Sequence, residues 1–454
     1  MLNFIFTILL VEGFITISVE ILTIRQLIPF YGSSVVITSI IIGIFLLFLA
    51  IGYWRGGTFQ KDFFKKLNQN FILSLLWIGI GLSYFFISFF FYGSVYFLKF
   101  PILLSLFLFL MLILSPIVYW LGQTVPLVTN LFSQSLRISS ISGRALFLST
   151  IGSFLGALLT SLVLFQWLGV AWTVLINCCL LFILIAYIQQ KDGEVSFLRL
   201  MILVMCLLFI AFLNVVIEHG QFKKTNNYAN YRILEQDDFS KILLINDSYS
   251  SLITPDKKIF PYAAFIRSLL FEQLKLQNKK ILIIGAGGFT LSAAGTNNND
   301  ITYIDIDPAI KDIVEKDFLN EPVKGKFKGE DARSFLLKEN SLYDVIVSDV
   351  YSNQNMIPPA LVTREYFQSI STRLNNNGLA IFNIISNPLF TDEFSQVLFN
   401  TIHSVFRFCA VIPLKWDHAL ANIIFVCPKK RDNQSIYSDD LNRSTLDFFK
   451  LNQK

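Results

Sequence analysis

A glycine-rich turn and an acidic residue in the second half of the chain have the spacing of a nucleotide site. Gly285, Gly287 and Gly288 follow the apolar run 281–284, and Asp305 ends the next apolar run. Glycine lets a ligand approach the backbone, and a carboxylate about 20 residues later can bond ribose hydroxyls. The start of a helix after the turn would add positive potential. A tight strand-to-helix turn without a ligand is the alternative explanation of the glycines.

Two further acids occupy positions where chemistry is expected. Asp349 ends the apolar run 343–349 and is followed two residues later by Tyr351. Because ligands of such sheets bind outside the carboxyl ends of the strands, Asp349 is predicted to orient an amine or take its proton. Asp331, next to Ala332, lies in a turn near the third strand, at an edge that can reach an adenine amino group. A helix cap or a structural acid is the alternative for Asp349, and a solvated turn acid is the alternative for Asp331.

The elements that position these residues are short apolar runs that alternate with helical stretches. This alternation predicts a doubly wound parallel sheet, an α/β Rossmann-like domain of the S-adenosylmethionine-dependent methyltransferase type, over 276–430. Its strands are predicted at 281–284, 301–304, 345–347, 379–384, 410–412 and 423–426. A small β-rich lead-in is expected at 218–275, with strands at 231–234 and 241–245 and a helix from about Tyr262 to Leu276. A polar tail covers 431–454.

The first half of the chain has the composition of a membrane domain. Hydrophobic residues make up 54% of the sequence and charged residues 15%, whereas soluble domains carry about 25% charged residues. Seven apolar stretches are long enough to cross a bilayer: roughly 4–29, 34–54, 70–92, 100–120, 144–166, 170–189 and 198–217. We expect a multi-pass α-helical membrane domain over 1–217, in the cell (inner) membrane. Gly152 and Gly156 are spaced for close helix packing.

Two arguments about orientation conflict. Basic residues follow the second, fourth and sixth spans: Arg55, Lys61, Lys65, Lys66, Arg137, Arg144 and Lys191. Since Lys and Arg favour the cytoplasmic side, seven spans place the soluble domain outside. A cytoplasmic soluble domain is expected instead if it uses an S-adenosyl compound, because these are made in the cytoplasm. A cytoplasmic soluble domain requires one span fewer, for example because a segment at 124–136 is re-entrant and does not cross. The basic residues Lys223 and Lys224 after the last span also favour the cytoplasmic position.

The remaining reactive residue types predict little. The five cysteines and three histidines have neither zinc-ligand spacing nor a disulfide framework, so we expect no metal site and buried, unpaired cysteines. The net charge of +5 gives no case for nucleic acid. In the first span, Glu20 and Arg25 are predicted to pair, or Arg25 to extend to the membrane interface, and Glu12 is a further intramembrane acid.

With these residues and this spacing, the chain resembles the spermidine synthases, or polyamine aminopropyltransferases. It resembles their membrane-fused branch more closely. The resemblance covers about 231–386, including the run 357–367 after Asp349. It implies that Gly285 to Gly288 and Asp305 bind decarboxylated S-adenosylmethionine or S-adenosylmethionine, the ribose on Asp305 and the adenine near Asp331 and Ala332. Asp349 matches the catalytic aspartate, Tyr262 a substrate-side tyrosine, and Tyr351 would also face the substrate.

The resemblance implies a membrane-bound transferase that moves an aminopropyl group to a (poly)amine such as putrescine, with the lipid bilayer as a partner and a homo-oligomer as a further expectation. Three departures concern the diamine. Gly288, followed by Phe289, stands where the turn usually has an aspartate. Ser352 and Asn353 stand where a second aspartate is usual, and Ala263-Ala264 replaces His-Glu. Two alternatives therefore stay open: an S-adenosylmethionine-dependent methyltransferase, and a non-catalytic nucleotide sensor on a membrane bundle.

Overall fold

The structure, a computed structural model, describes residues 2–32, 34–132, 138–192, 197–351, 357–416 and 420–429. The predicted polar tail lies outside the described residues, as do Arg137, Ser352 and Asn353. The described residues up to Gln221 form helices and their connections, and all the described strands lie after Gln221.

Eleven α-helices occupy the described part of the first region: α1 Leu2–Tyr31, α2 Val35–Gly57, α3 Phe63–Gly81, α4 Tyr84–Phe91, α5 Ile102–Phe109, α6 Ser115–Gly122, α7 Thr124–Phe132, α8 Ile138–Leu159, α9 Val170–Asp192, α10 Phe197–Ala211 and α11 Ile217–Gln221. Wider π-helical turns cover Tyr92–Phe97, Leu110–Leu114, Thr160–Leu168 and Phe212–Val216. Each follows an α-helix directly, so several helices form longer rods.

Six of these rods are long and apolar enough to cross a membrane: Thr7–Tyr31, Val35–Gly57, Ile102–Leu131, Ile141–Leu168, Val170–Lys191 and Phe197–Gln221. A seventh span exists if Phe63–Gly81 and Tyr84–Phe97, which meet at 66°, count as one broken helix. The described part of the segment proposed as re-entrant belongs instead to the rod Ile102–Leu131 and to α7, and its remainder, 133–136, lies outside the described residues. Six of the seven apolar stretches of the sequence therefore lie in helices suited to a bilayer by length and composition, and the stretch 70–92 lies in the broken pair.

The predicted close helix packing is confirmed between α1 and α8. A Cβ on Gly152 would lie 2.0 Å from the carbonyl oxygen of Leu10, and one on Gly156 would lie 2.4 Å from that of Phe14. Gly13 faces α8 in the same way, since its Cβ would lie 2.2 Å from the Ser149 carbonyl oxygen. The two backbones meet at a distance that only glycine permits.

Arg25, near the end of α1, follows neither of the two predicted arrangements. It is buried, with 3% of its surface exposed. Its guanidinium donates to the carbonyl oxygen of Asn226 and to the side chain of Asn230, both beyond the last apolar helix. The sequence pattern could not indicate this, because those partners lie about 200 residues away in the chain.

A four-stranded antiparallel sheet opens the second region, in the order β1-β2-β3-β4. Its strands are β1 Lys224–Thr225, β2 Asn230–Glu235, β3 Lys241–Ile245 and β4 Ser248–Ile253. Asn246 and Asp247 form the predicted turn with φ angles of 52° and 59°. Helix α12, Pro261–Ser268, continues as a π-helical turn to Gln273. The sequence predicted β2, β3 and this helix but not β1 or β4, which are short or rich in serine.

A seven-stranded sheet follows, in the order β10-β11-β9-β8-β5-β6-β7. Its strands are β5 Lys280–Ile284, β6 Asp300–Asp305, β7 Lys326–Gly329, β8 Tyr343–Ser348, β9 Leu374–Ser386, β10 Ala410–Pro413 and β11 Ala421–Pro428. The neighbours from β9 to β7 are parallel, and β11 is antiparallel to β9 and β10. Since β6 and β8 flank β5 on opposite sides, the order reverses there, and the predicted Rossmann-like, methyltransferase-type fold is confirmed.

Short helices cover this sheet: α13 Thr290–Ala293, α14 Ile310–Ile313, α15 Ala332–Lys338, α16 Arg364–Arg373 and α17 Glu393–His403. A π-helical turn, Val314–Leu319, extends α14, and Pro359–Leu361 forms a 3-10 turn. Separate apolar clusters pack against the two faces, with Leu243, Ile283 and Val314 on one face and Leu282, Ile346 and Phe367 on the other.

The expectation of unpaired cysteines is wrong for two of them. Cys409 and Cys427 form a disulfide. In the antiparallel register Ala410 faces Val426, so the residues just before and after them, Cys409 and Cys427, are also brought opposite each other. Their spacing in the sequence does not encode that register. Cys178 is buried as expected, whereas Cys179 is exposed.

Candidate active site

The glycine turn after β5 is shaped by close contacts on two sides. Gly285 has a φ of 91°, and a Cβ there would lie 2.0 Å from the carbonyl oxygen of Asp349. A Cβ on Gly288 would lie 2.5 Å from the ring of Phe318 and 2.7 Å from the Cβ of Ser251. The Gly288 amide donates to Ser251 Oγ at 2.8 Å. The glycines thus let the turn pack between the end of β8 and strand β4.

The helix after this turn is shorter than the sequence suggested. Only Thr290–Ala293 is α-helical, and Phe289 before it is left-handed with a φ of 54°. Gly287 also has a positive φ, 49°. The positive potential of a helix start grows with aligned peptide dipoles, so four residues contribute little of it. A ligand would contact the backbone of the turn itself.

Asp305 ends β6 beside the turn, with both carboxylate oxygens held by backbone amides. The amide of Ala286 donates to Oδ2 at 3.0 Å and the amide of Asp307 donates to Oδ1 at 3.1 Å. Burial raises the pKa of Asp305 to about 6, against the lowering effect of these hydrogen bonds. The next residue, Ile306, is 51% exposed. A fixed acceptor and an apolar surface therefore lie together at the end of β6.

Asp349 lies directly after β8, next to Gly285. Its amide donates to the Ile284 carbonyl oxygen at 2.9 Å, which fixes its backbone to the end of β5. The side chain of Asn383 donates to Asp349 Oδ1 at 2.8 Å. Burial raises the pKa of the Asp349 carboxyl, and the hydrogen bond from Asn383 and the nearby Tyr262 hydroxyl oppose that rise. A half-buried carboxylate with a raised pKa and neutral partners is suited to accept a proton.

The two predicted substrate tyrosines differ in their contacts. The Tyr262 hydroxyl donates to the carbonyl oxygen of Ser250 at 3.0 Å and also interacts with the Asp349 carboxylate. Burial and the nearby Asp349 raise the pKa of Tyr262 well above its ordinary value. The Tyr351 hydroxyl donates to the Asn383 carbonyl oxygen at 3.1 Å and accepts from the Ile385 amide at 2.6 Å. Tyr262 thus faces the acid, whereas Tyr351 ties the chain after β8 to β9.

Asp331 and Ala332 lie at the same edge of the sheet, after β7. The amide of Glu330 donates to the carbonyl oxygen of Asp305 at 2.8 Å, so the turn is adjacent to the end of β6. The Asp331 side chain is exposed and caps α15 by accepting from the Ser334 amide at 2.9 Å. Ala332 is buried under this cap. Asp331 is therefore an exposed turn acid, as the alternative held, and it also caps a helix; its contact with adenine stays a prediction.

Sequence reasoning missed Asn383, which orients Asp349. Asn383 Oδ1 accepts from the Asn422 side chain at 2.9 Å, so its amide group must donate to Asp349. The sequence did contain a signal for this contact: an asparagine in each of two apolar strands, Asn383 in β9 and Asn422 in β11, near the edge where ligands bind. Ser251 was missed because β4 has no apolar pattern. Among the described residues, no group of three or more His, Cys, Asp and Glu side chains could hold a metal ion.

Known proteins with similar sequences carry the names of transferases. A polyamine aminopropyltransferase of Vibrio vulnificus is 30% identical over 160 residues, which cover 33% of this chain and 51% of that protein. A polyamine aminopropyltransferase of Leptospira interrogans is 22% identical over 399 residues, 82% of this chain and 77% of that protein. This chain is similar in sequence to polyamine aminopropyltransferases. No protein-family model matches it.

The similarity to known proteins covers a different share of each chain. The match spans about half the length of the Vibrio protein. The Leptospira match extends into the helical region, because 82% of this chain is more than the part after Gln221. An eEF1A lysine and N-terminal methyltransferase of Xenopus laevis is 29% identical over 161 residues, 33% of this chain and 22% of that protein. The crystal structure of a probable spermidine synthase from Corynebacterium glutamicum has a TM-score of 0.39 and 20% identity, over 47% of this chain and 80% of the other.

Proposed function

We propose that this protein is a membrane-bound aminopropyltransferase that uses decarboxylated S-adenosylmethionine and a (poly)amine such as putrescine. The amine nitrogen attacks the aminopropyl carbon bound to the sulfonium sulfur. The carbon–sulfur bond breaks, its electron pair stays on sulfur, and methylthioadenosine leaves. The attacking nitrogen loses its proton to Asp349. Holding the two reactants in line supplies most of the rate.

One observation carries this proposal: the backbone of Asp349 lies against Gly285. A Cβ at Gly285 would lie 2.0 Å from the Asp349 carbonyl oxygen, so the turn and the acid belong to one edge of the sheet. The names of the sequence relatives support the same chemistry. A base must lie within hydrogen-bond reach of the proton that it accepts, and a donor over the turn would bring its aminopropyl group close to Asp349.

The residues at the nucleotide end fit an adenosyl group. The carboxylate of Asp305 uses one hydrogen bond per oxygen within the protein, which leaves each oxygen free to accept another from a ribose hydroxyl. Ile306, 51% exposed, offers an apolar surface to the adenine ring. Gly287, with its positive φ, lets the backbone approach the ligand. We therefore assign Gly285, Gly287, Gly288 and Asp305 to the adenosyl group, with Asp331 and Ala332 on the adenine side.

The acceptor end is less acidic than a diamine requires. Ala263 after Tyr262 is buried and Ala264 is exposed, so this part of α12 presents no carboxylate beside Tyr262. A buried ammonium without a partner is costly. The acceptor amine would be held at its reacting end by Tyr262 and Asp349, and its distal end would extend toward solvent.

Purified full-length protein with putrescine and decarboxylated S-adenosylmethionine tests the proposal. Methylthioadenosine should form, and Asp349→Asn should lower its formation about 10³-fold while the donor still binds. Failure to form methylthioadenosine with any of putrescine, cadaverine, agmatine or spermidine would contradict aminopropyl transfer. Formation of S-adenosylhomocysteine from S-adenosylmethionine and a membrane extract would replace it with methyl transfer. That second candidate is favoured by the missing acceptor carboxylates at Ala263 and Ala264.

We further propose that the helical region anchors the site in a membrane. With seven spans, the exposed basic residues Arg55, Arg144 and Lys191 lie at the end opposite the soluble domain. The disulfide Cys409–Cys427 belongs to an oxidising compartment. Both observations favour an external soluble domain, which a cytoplasmic donor would not reach, and so favour a third candidate, a non-catalytic nucleotide sensor.

A reporter fused after Lys454 decides the side of the membrane. Alkaline phosphatase activity there would place the soluble domain outside and support the sensor. Fluorescence of a green fluorescent protein fusion without phosphatase activity would place it in the cytoplasm and support the transferase. The matched control is the same pair of fusions after Gly57, at the end of the second span, which should report the opposite side.

A further inference from the structure

We propose that Arg25, a residue of the first apolar helix, is a positioning residue for the nucleotide end of the site. The helical region would then contribute to ligand binding and not serve as an anchor alone. This inference rests on the proposed assignment of Asp305 to the adenosyl ribose.

Arg25 is fixed in the contact between the two regions of the molecule. Its Nε donates to the carbonyl oxygen of Asn226 at 2.5 Å, and Nη2 donates to the side-chain oxygen of Asn230 at 2.7 Å. Nη1 is buried without a hydrogen-bond partner. The carboxylates of Glu218 and Asp307 interact electrostatically with the guanidinium. A buried cation is stable where such anions lie near it, so Arg25 and these acids stabilise one another.

Asn226 continues the contact toward the site. Its Nδ2 donates to Asp307 Oδ2 at 2.6 Å. Its Oδ1 accepts from the backbone amides of Tyr228 at 2.9 Å and Ala229 at 3.1 Å, which fixes the orientation of the side-chain amide. Since Arg25 holds the backbone of the same residue, a displaced guanidinium would release Asn226 from Asp307.

Asp307 connects this network to the ribose-binding acid. It is 1% exposed. The hydroxyl of Tyr231 donates to its Oδ2 at 2.6 Å, and the amide of Ala309 donates to Oδ1 at 2.9 Å. Its own amide donates to Asp305 Oδ1 at 3.1 Å. The network therefore runs from Arg25 through Asn226 and Asp307 to Asp305, and Asp305 in turn accepts from Ala286 in the glycine turn.

Loss of the Arg25 charge would act on nucleotide binding in two ways. The side chain of Asp307, whose electrostatic effect raises the pKa of Asp305, would lie near it without the compensating cation, which disfavours the ionised form of Asp305. The hydrogen bond that fixes Asp305 Oδ1 would also be less well placed. Couplings of this kind change affinity by roughly 5-fold to 150-fold. We expect at least a tenfold weaker affinity for adenosyl compounds.

The test is isothermal titration of detergent-purified full-length protein with methylthioadenosine. Arg25→Gln should weaken binding at least tenfold, Arg25→Lys should recover part of the loss, and Arg25→Gln should add little when Asp307→Asn is already present. The matched control is Gln26→Leu. Gln26 is a buried neighbour in the same helix whose side chain donates to the Leu82 carbonyl oxygen within the helical region. A general loss of packing would weaken binding in both variants.

The outcomes separate this inference from the proposed function. If the unaltered protein binds neither methylthioadenosine nor S-adenosylhomocysteine, the adenosyl site and the role of Arg25 both fail. If it binds and Arg25→Gln binds equally well, or Gln26→Leu weakens binding as much, only the role of Arg25 fails. If Arg25→Gln does not fold, Arg25→Lys carries the test, because one ammonium cannot reproduce the two nitrogens that bond Asn226 and Asn230. Unchanged binding by Arg25→Lys would then overturn the inference.

Discussion

At the reactive end of the site, Asp349 meets the neutral side chains of Asn383 and Tyr262, whereas at the nucleotide end hydrogen bonds join Asp307 to the guanidinium of Arg25. A carboxylate among neutral partners has a raised pKa and can exchange a proton. At the nucleotide end, the Asp307 side chain accepts hydrogen bonds from Asn226, Tyr231 and the Ala309 amide and is thereby fixed in place. The difference suggests that one end of the same sheet edge is built for proton transfer and the other for holding a ligand.

Removal of the reactive carboxylate is the strongest way to break this comparison. Asp349→Asn keeps the shape of the side chain but cannot accept the amine proton. Methylthioadenosine formation should fall about 10³-fold, within the range of general base catalysis, while titration with methylthioadenosine is unchanged.

The control for this variant is Asp344→Asn on the same strand. Asp344 lies at the other end of β8, where it accepts from the Lys280 amide at 2.9 Å and the Asn375 side chain at 3.0 Å. Its activity should remain within a few-fold of the unaltered protein. An equal loss in both variants would mean that Asp349 stabilises the strand and has no role in proton transfer.

The contact between the turn and the acid can be broken at Gly285. In Gly285→Ala the Cβ would lie 2.0 Å from the Asp349 carbonyl oxygen, at a φ of 91°. We expect thermal unfolding to show a loss of about 3 kcal/mol. Gly295→Ala is the control, because Gly295 also has a positive φ, 139°, but no atom within 4 Å of its Cβ position. Similar losses in both would show that backbone strain alone explains the glycine.

The neutral surroundings of Asp349 can be altered through Asn383. Asn383→Ala removes a hydrogen bond that lowers the pKa of Asp349, so that pKa should rise further. Because the ionised carboxylate is the active form, the acidic limb of the kcat profile should move to higher pH, with about tenfold lower activity at its former midpoint. Asn375→Ala, on the same strand but bonded to Asp344, should leave the profile in place. A profile that does not move would remove Asn383 from the reactive end.

The smallest expected effect is a pH dependence of ligand affinity, which tests the nucleotide end of the site through Asp305. Burial raises the pKa of Asp305 to about 6. Above that pH the carboxylate is ionised and accepts hydrogen bonds from the ribose, and below it a proton occupies one acceptor. Affinity for methylthioadenosine should therefore fall roughly threefold to tenfold as the pH drops from 7 to 5. Asp305→Asn should bind weakly at both values, and an affinity of Asp305→Asn that still falls with pH would assign the effect to another group.

The apolar stretches and the strand pattern were predicted well because each is encoded locally. A bilayer span needs about 20 consecutive apolar residues, and a buried parallel strand needs a short apolar run, so both can be read from neighbouring residues. The glycine turn and the acids at the strand ends followed from the same pattern. Strands β1 and β4 were not predicted, because β1 has only two residues and the residues of β4 are mostly polar.

Sequence alone determined that apolar helices are joined to an α/β sheet with glycines and acids at the carboxyl ends of its strands, since composition and period are local properties. Only the tertiary structure decided which distant residues complete the site: Asn383 behind Asp349, Ser251 behind Gly288, and Arg25 linked to Asp305 through Asn226 and Asp307. It also decided the pairing of Cys409 with Cys427. These contacts depend on strand register and on how the helical region meets the sheet, which chain spacing does not specify.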